Sequence, residues 1–269
     1  MPDPGAEYLL ADGLGGYAMG TAGLTRTRRY HGLLTVASPP PARRLMLVNG
    51  LEAWLEQPGR PPRFVTRQAY ADGVITPADP AAILRFRYHP WPVWRFALGT
   101  GTLAFSCLLA DGAAEALVSF RPSVGLGGTL CVRPLLSGRD HHALHRQNPA
   151  FRFDAEVRGG SVAWRPYPDL PAIAALSNGA YQHAPEWYRN FYYAEEAARG
   201  LDDTEDLASP GVFRFDLAAG RALLLFRAGD GLAVSVPRRA VELTATRARM
   251  ARRRDPACAY LADRAPGRT

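Results

Sequence analysis

The chain has 269 residues, and all 32 of its basic residues are arginine, which excludes a phosphate-loop lysine, a Schiff base and a Ser-Lys nucleophile pair. Its formal charge of +7 invites a nucleic-acid reading. The distribution argues against one: up to Pro237 there are 23 Arg and 22 acids, whereas from Arg238 onward there are 9 Arg and 3 acids.

At the start, Met1 to Glu7 carries acid where a leader would be basic, and the apolar run Tyr8 to Ala11 is too short for a signal core. Nothing approaches the roughly 18 apolar residues of a membrane span. The three cysteines, Cys107, Cys131 and Cys258, are scattered and form no C-x-x-C pair. The expectation is a cytoplasmic protein without cofactor or metal. The glycine-rich run Asp12 to Gly20 lacks the glycine spacing and the following helix of a dinucleotide site, so it reads as a tightly packed loop. Arg28, Arg29, Tyr30 and His31 then bring two guanidinium forks, a phenol and an imidazole together. They suit either sugar or domain contacts or the pinning of this loop to a sheet.

From about residue 45 to residue 236 the apolar runs are short, rich in Val, Leu and aromatics, and punctuated by Gly or Pro, which predicts strands and hairpins. Expected hairpin strands are 93–98 with 103–109 and 116–120, then 151–157 with 161–164, and 213–217 with 223–226. Phe-Arg-Phe-Asp opens two of these, at Phe151 and Phe213. With almost no strand–helix alternation, the fold class is all-β, a large antiparallel sandwich.

Arg139, Asp140, His141, His142 and His145 hold three of the six histidines. A metal site is conceivable, but no companion motif supports it, and an Arg139–Asp140 pair with partly exposed imidazoles is the simpler expectation. Trp187 to Tyr193 is the most aromatic stretch, and the acids Glu195, Glu196, Asp203 and Asp206 follow it. These could form a stacking platform with glycosidase carboxylates, or simply core and turn packing. No Gly-x-Ser-x-Gly elbow or Cys-His nucleophile signature is present. After Pro237, Arg238 to Arg254 reads as an amphipathic helix with Val241, Leu243 or Ala245, Ala248 and Met250 on one face. Ala257 to Ala262 is a candidate start of another helix.

Four ordered stretches carry a resemblance: Glu7 to Thr21, Thr27 to Leu34, Gly138 to His145, and Arg199 to Gly211. Together they resemble the N-terminal domain of bacterial and archaeal glycogen debranching enzymes. The resemblance implies a β-sandwich like the one preceding the barrel of glucoamylase-like proteins, over residues 1–237, with residues 238–269 as an Arg-rich helical linker. It also implies that the whole enzyme is a cytoplasmic amylo-α-1,6-glucosidase acting on glycogen-like glucans. Its two catalytic carboxylates belong to a following (α/α)₆ barrel, so none is expected here. The partners so implied are that barrel and glycogen or maltooligosaccharide, with no nucleic acid and no membrane. The substrate- or barrel-facing candidates are Arg28, Arg29, Tyr30, His31, Arg139, Asp140 and His142. A stand-alone α-glucan-binding module and a self-sufficient glycosidase are the other readings.

Overall fold

The computed structural model describes residues 3–38, 43–229 and 235–248. The first strands are β1 (Glu7–Ala11), β2 (Tyr17–Thr21), β3 (Gly32–Ala37) and the long β4 (Arg44–Glu56). Three two-residue strands follow, β5 (Arg63–Phe64), β6 (Gln68–Ala69) and β7 (Ile75–Thr76). A meander then runs through β8 (Ile83–Arg87), β9 (Val93–Leu98), β10 (Gly101–Leu109) and β11 (Glu115–Pro122). Next come β12 (Thr129–Asp140), β13 (Ala155–Arg158), β14 (Ser161–Trp164), β15 (Ile173–Ser177) and β16 (Ala180–Tyr192). A single-turn helix, α1 (Ala194–Ala197), precedes β17 (Thr204–Asp216) and β18 (Ala222–Ala228).

Two large antiparallel sheets result, with β6 and β7 forming a separate two-stranded pair. One has the order β1-β2-β3-β4-β12-β17-β16 with β5 added to β4; the other has the order β13-β14-β15-β18-β11-β10-β9-β8. Alternation explains why: in β9, Trp94, Phe96 and Leu98 point inward while Arg95 between them is exposed, a two-residue period that only a strand satisfies. The inner faces share one core, with Leu34, Val48, Val132 and Phe213 from the first sheet meeting Trp94, Phe105, Phe120 and Phe226 from the second. Each such large side chain contributes about 1.5–3 kcal/mol on burial. Trp94 stacks on Phe105 at 5.0 Å, and its Nε1 donates to the Ala22 carbonyl at 2.8 Å, so its one polar atom is satisfied.

The 93–120 meander and the 155–164 hairpin form as predicted, but two details differ. Phe151 to Asp154 is not a strand. The expected 213–226 hairpin is instead a crossover: β17 lies in the first sheet and β18 in the second. Its 3₁₀ turn, Leu217–Ala219, is capped by Asp216, which accepts from the Ala218 N–H, and Gly220 at φ 113° redirects the chain. The two Phe-Arg-Phe-Asp stretches therefore do not mark equivalent positions.

Residues 236–248 form a helix on the outer face of the second sheet. Val236, Ala240 and Leu243 pack on Leu108, Leu117, Leu223 and Leu225, while Val241 stays exposed. The buried face differs from the expected one: Val236, Ala240 and Leu243 follow an i, i+4, i+7 spacing that excludes Val241; Pro237 sits in the first turn, where its missing N–H breaks no bond. Arg239 pairs with Glu115 at 2.8 Å, and the Arg247 Nε donates to the Leu109 carbonyl. The remainder of the expected helix and Ala257 to Ala262 lie outside the described residues.

Candidate functional site

The glycine-rich run is the β1–β2 hairpin turn. Buried Asp12 accepts the N–H groups of Leu14 and Gly16 through Oδ1. A Cβ on Gly16 would come within 2.6 Å of the Thr35 carbonyl oxygen. The run is thus packed against its own sheet.

Beside it, the segment from Thr25 to His31, connecting β2 to β3, is held by ion pairs to distant parts of the chain. Arg28 Nε donates to Glu7 at 2.6 Å and its Nη2 lies 3.2 Å from Glu195. Arg29 approaches Glu196 at 3.3 Å and donates to the carbonyls of His142 and Asp202, both at 2.9 Å. Three segments that are remote in sequence, 25–31, 141–147 and 193–203, are thereby joined at one rim of the sandwich.

His31 is buried at the base of this rim. Its Nδ1 accepts from the Thr27 N–H at 3.0 Å, so the proton sits on Nε2, which donates to Glu7 at 3.0 Å. Burial, only partly countered by Glu7, pushes the imidazole down to about 4, so His31 is neutral at pH 7. Burial would raise the Glu7 carboxyl, but the hydrogen bond from Arg28 and the neighbouring His31 overcome it and hold it below its ordinary range.

Arg139 makes a different pair from the one expected. Its Nε and Nη2 bind the two oxygens of Glu205 at 3.0 and 2.9 Å, while Asp140 offers it only a backbone carbonyl. The reason is strand pairing: β12 and β17 are neighbours, which brings Glu205 under the guanidinium, whereas the side chain of Asp140 turns to the His142 N–H at 2.9 Å. Asn49 and Tyr193 also donate to Glu205, at 2.8 and 3.1 Å. Both members of the pair are almost fully buried. Burial opposes the Arg139 charge, and Glu205 more than offsets that, so the guanidinium is held above its ordinary value. A last bond from Arg139 Nη2 to the Arg29 carbonyl, at 2.6 Å, ties this buried pair to the rim.

The three histidines do not converge. The rings of His141 and His142 lie 3.8 Å apart, tilted by 41°, and Tyr30 places its hydroxyl 3.1 Å from His142 Nδ1. His145 instead is buried, stacked on Trp187 at 5.4 Å, with Nδ1 donating to the Asp206 carbonyl and Nε2 accepting from Tyr167. Among the described residues no group of three or more His, Cys, Asp or Glu is arranged to hold a metal ion.

Three of the four acids after the aromatic stretch are engaged through their side chains, Glu195 by Arg28. Glu196 is buried and accepts the Arg29 N–H at 3.1 Å. Asp206 accepts the N–H groups of Gln147 and Asn190, fixing Asn190 at φ 60°. Trp187 packs on Phe151 and Phe153, and Phe191 stacks on Tyr70 at 4.9 Å, so these rings are packing surfaces. All seven candidate residues thus fall within one rim cluster. The residues that complete it are Glu7, Asn49, Tyr193 and Glu205; three lie in stretches the sequence singles out, but their pairing with the candidates comes from strand register.

The architecture defines a large all-β sandwich whose rim loops are held by ion pairs, the deepest of them, Arg139–Glu205, buried. The model for the N-terminal region of glycogen debranching enzyme matches residues 6–224, and the chain belongs to that family. A search of curated proteins finds no match. No helix among the described residues is long and apolar enough to cross a membrane.

Proposed function

We propose that this chain is the noncatalytic sandwich of a cytoplasmic amylo-α-1,6-glucosidase. In this reading it seats a following (α/α)₆ barrel, which carries the two hydrolytic carboxylates, and helps shape the entrance for the glycogen-like substrate. Residues 1–237 form the sandwich, and residues 238–269 lead toward the barrel. The observation that supports this most is the state of the rim: buried Glu205 and Asp206 accept hydrogen bonds on both oxygens, and buried Glu196 accepts the Arg29 N–H and faces its guanidinium. What remains toward solvent is half-buried Arg28 and Tyr30 with exposed His142 and Glu195, the last paired with Arg28, a set suited to contact another surface. General acid–base hydrolysis needs carboxylates free to exchange a proton with substrate or water.

In the intact enzyme, alanine at Arg28 or Tyr30 is expected to lower limit-dextrin hydrolysis while the isolated sandwich stays folded. If hydrolysis and thermal stability of the intact enzyme are both unchanged, the rim is not the contact. The alternative, a stand-alone α-glucan-binding module, requires the isolated chain to be retarded in affinity electrophoresis through amylopectin.

A further inference from the structure

Away from the rim, the outer face of the second sheet collects arginines from four separate parts of the chain. The register runs Arg85 opposite Arg95, Arg95 opposite Ala104, and Ala104 opposite Arg121, so three arginines occupy one row across four strands. In the adjacent row Arg87 lies opposite Val93, Val93 opposite Ser106, and Ser106 opposite Ser119. Arg221, just before β18, donates its Nε to Ser119 at 2.7 Å. Although Arg221 is exposed, partial desolvation of the guanidinium and neighbouring Arg121 push it below its ordinary value.

All five arginines are exposed, and none forms an ion pair with a carboxylate among the described residues. Like charges placed directly opposite on a sheet repel, so this arrangement calls for a compensating anion. The space for one exists: over the small side chains Ala104 and Ser106 lie two adjoining clefts of about 250 and 170 Å³. Every charged residue lining them is an arginine, and Trp91 edges the second.

We infer that this face binds a small phosphate ester carrying two or more negative charges, seated over Ala104 between Arg95 and Arg121, with Arg85, Arg87 and Arg221 around it. Planar guanidinium forks bind phosphate oxygens in pairs. The footprint favours a compact ligand: Arg95 and Arg121 are two strand spacings apart, about 10 Å, too short a track for a nucleic-acid backbone, which needs several successive phosphates.

The test uses inorganic pyrophosphate as the probe, titrated into the chain at fixed ionic strength with calorimetry and Trp fluorescence as readouts. Saturable one-to-one binding is expected, weakened roughly tenfold or more by Arg95→Gln or Arg121→Gln and unaffected by Arg158→Gln on β13. Without pyrophosphate, both glutamine variants should melt at or above the parent's temperature, because they relieve repulsion; with it, only the parent should gain stability. Absence of saturable binding overturns the proposal, as does equal affinity in the variants. So does a lower melting temperature for both variants without anion, which would make the arginines structural. Tighter binding of single-stranded oligonucleotides that rises with their length would assign the face to nucleic acid and likewise overturn it.

Discussion

Glu205→Gln is expected to destabilise the sandwich by roughly 3–5 kcal/mol, with little change in shape. The carboxylate accepts four donors, two from Arg139 and one each from Asn49 and Tyr193. Glutamine keeps the volume but presents an NH₂ group to donors and removes the charge that holds a buried guanidinium. Arg139→Met alone leaves Glu205 buried and uncompensated, and its cost should be similar. The double variant Arg139→Met with Glu205→Met removes both charges, so it should be distinctly less destabilised than the sum of the two single changes. Urea unfolding of the four proteins measures this. Simple additivity would show that the pair is not coupled and would remove it as the anchor beneath the rim.

Acidification is the second large effect. His31 is held down at about 4 by burial, against an ordinary value near 6.5. As pH falls through 6.5 the unfolded chain takes up this proton while the folded chain does not, so stability is fully present above 6.5 and is lost progressively down to about 4. The loss from this one group is on the order of 3 kcal/mol. His141 and His145 are displaced in the same direction, chiefly by burial, and add to the same window. Glu7 is held below its ordinary value, so its contribution is lost only at the acid end, below about 4.5. His31→Gln should therefore flatten the stability profile between pH 6.5 and 4.5 relative to the parent. An NMR titration of the His31 ring with a midpoint near 6.5 would contradict the assignment.

Much of the fold is legible in the sequence because its signal is local. Val93 to Leu98 alternates cleanly, Gly99-Thr100-Gly101 supplies the turn, and the hairpin follows from neighbouring residues alone. The crossover after Asp216 is not legible in that way. Phe213 to Phe226 has the same alternation and glycine as a hairpin, and which sheet receives β18 depends on pairing with β11 and β15, more than a hundred and about fifty residues earlier.

The rim shows the same division. Arg28 to His31 and Arg139 to His142 stand out as clusters of functional side chains, and the structure brings them together. Their pairings do not stand out: Glu205 meets Arg139 only because β12 and β17 are adjacent. The choice of Glu205 over neighbouring Asp140 is a matter of which face each residue occupies. Charge counted along the chain misleads for a related reason. It balances to within one up to Pro237, yet the second sheet gathers arginines 85, 87, 95, 121 and 221 onto one face.

On the proposed function, the sandwich supports α-1,6-glucan hydrolysis without performing it. The most direct test is incubation of the purified chain alone with a phosphorylase limit dextrin, with free glucose measured over time. No release above the buffer blank is expected. Steady release of glucose that Glu195→Gln or Asp203→Asn abolishes, in variants with unchanged thermal stability, would contradict it and place the catalytic carboxylates in this chain.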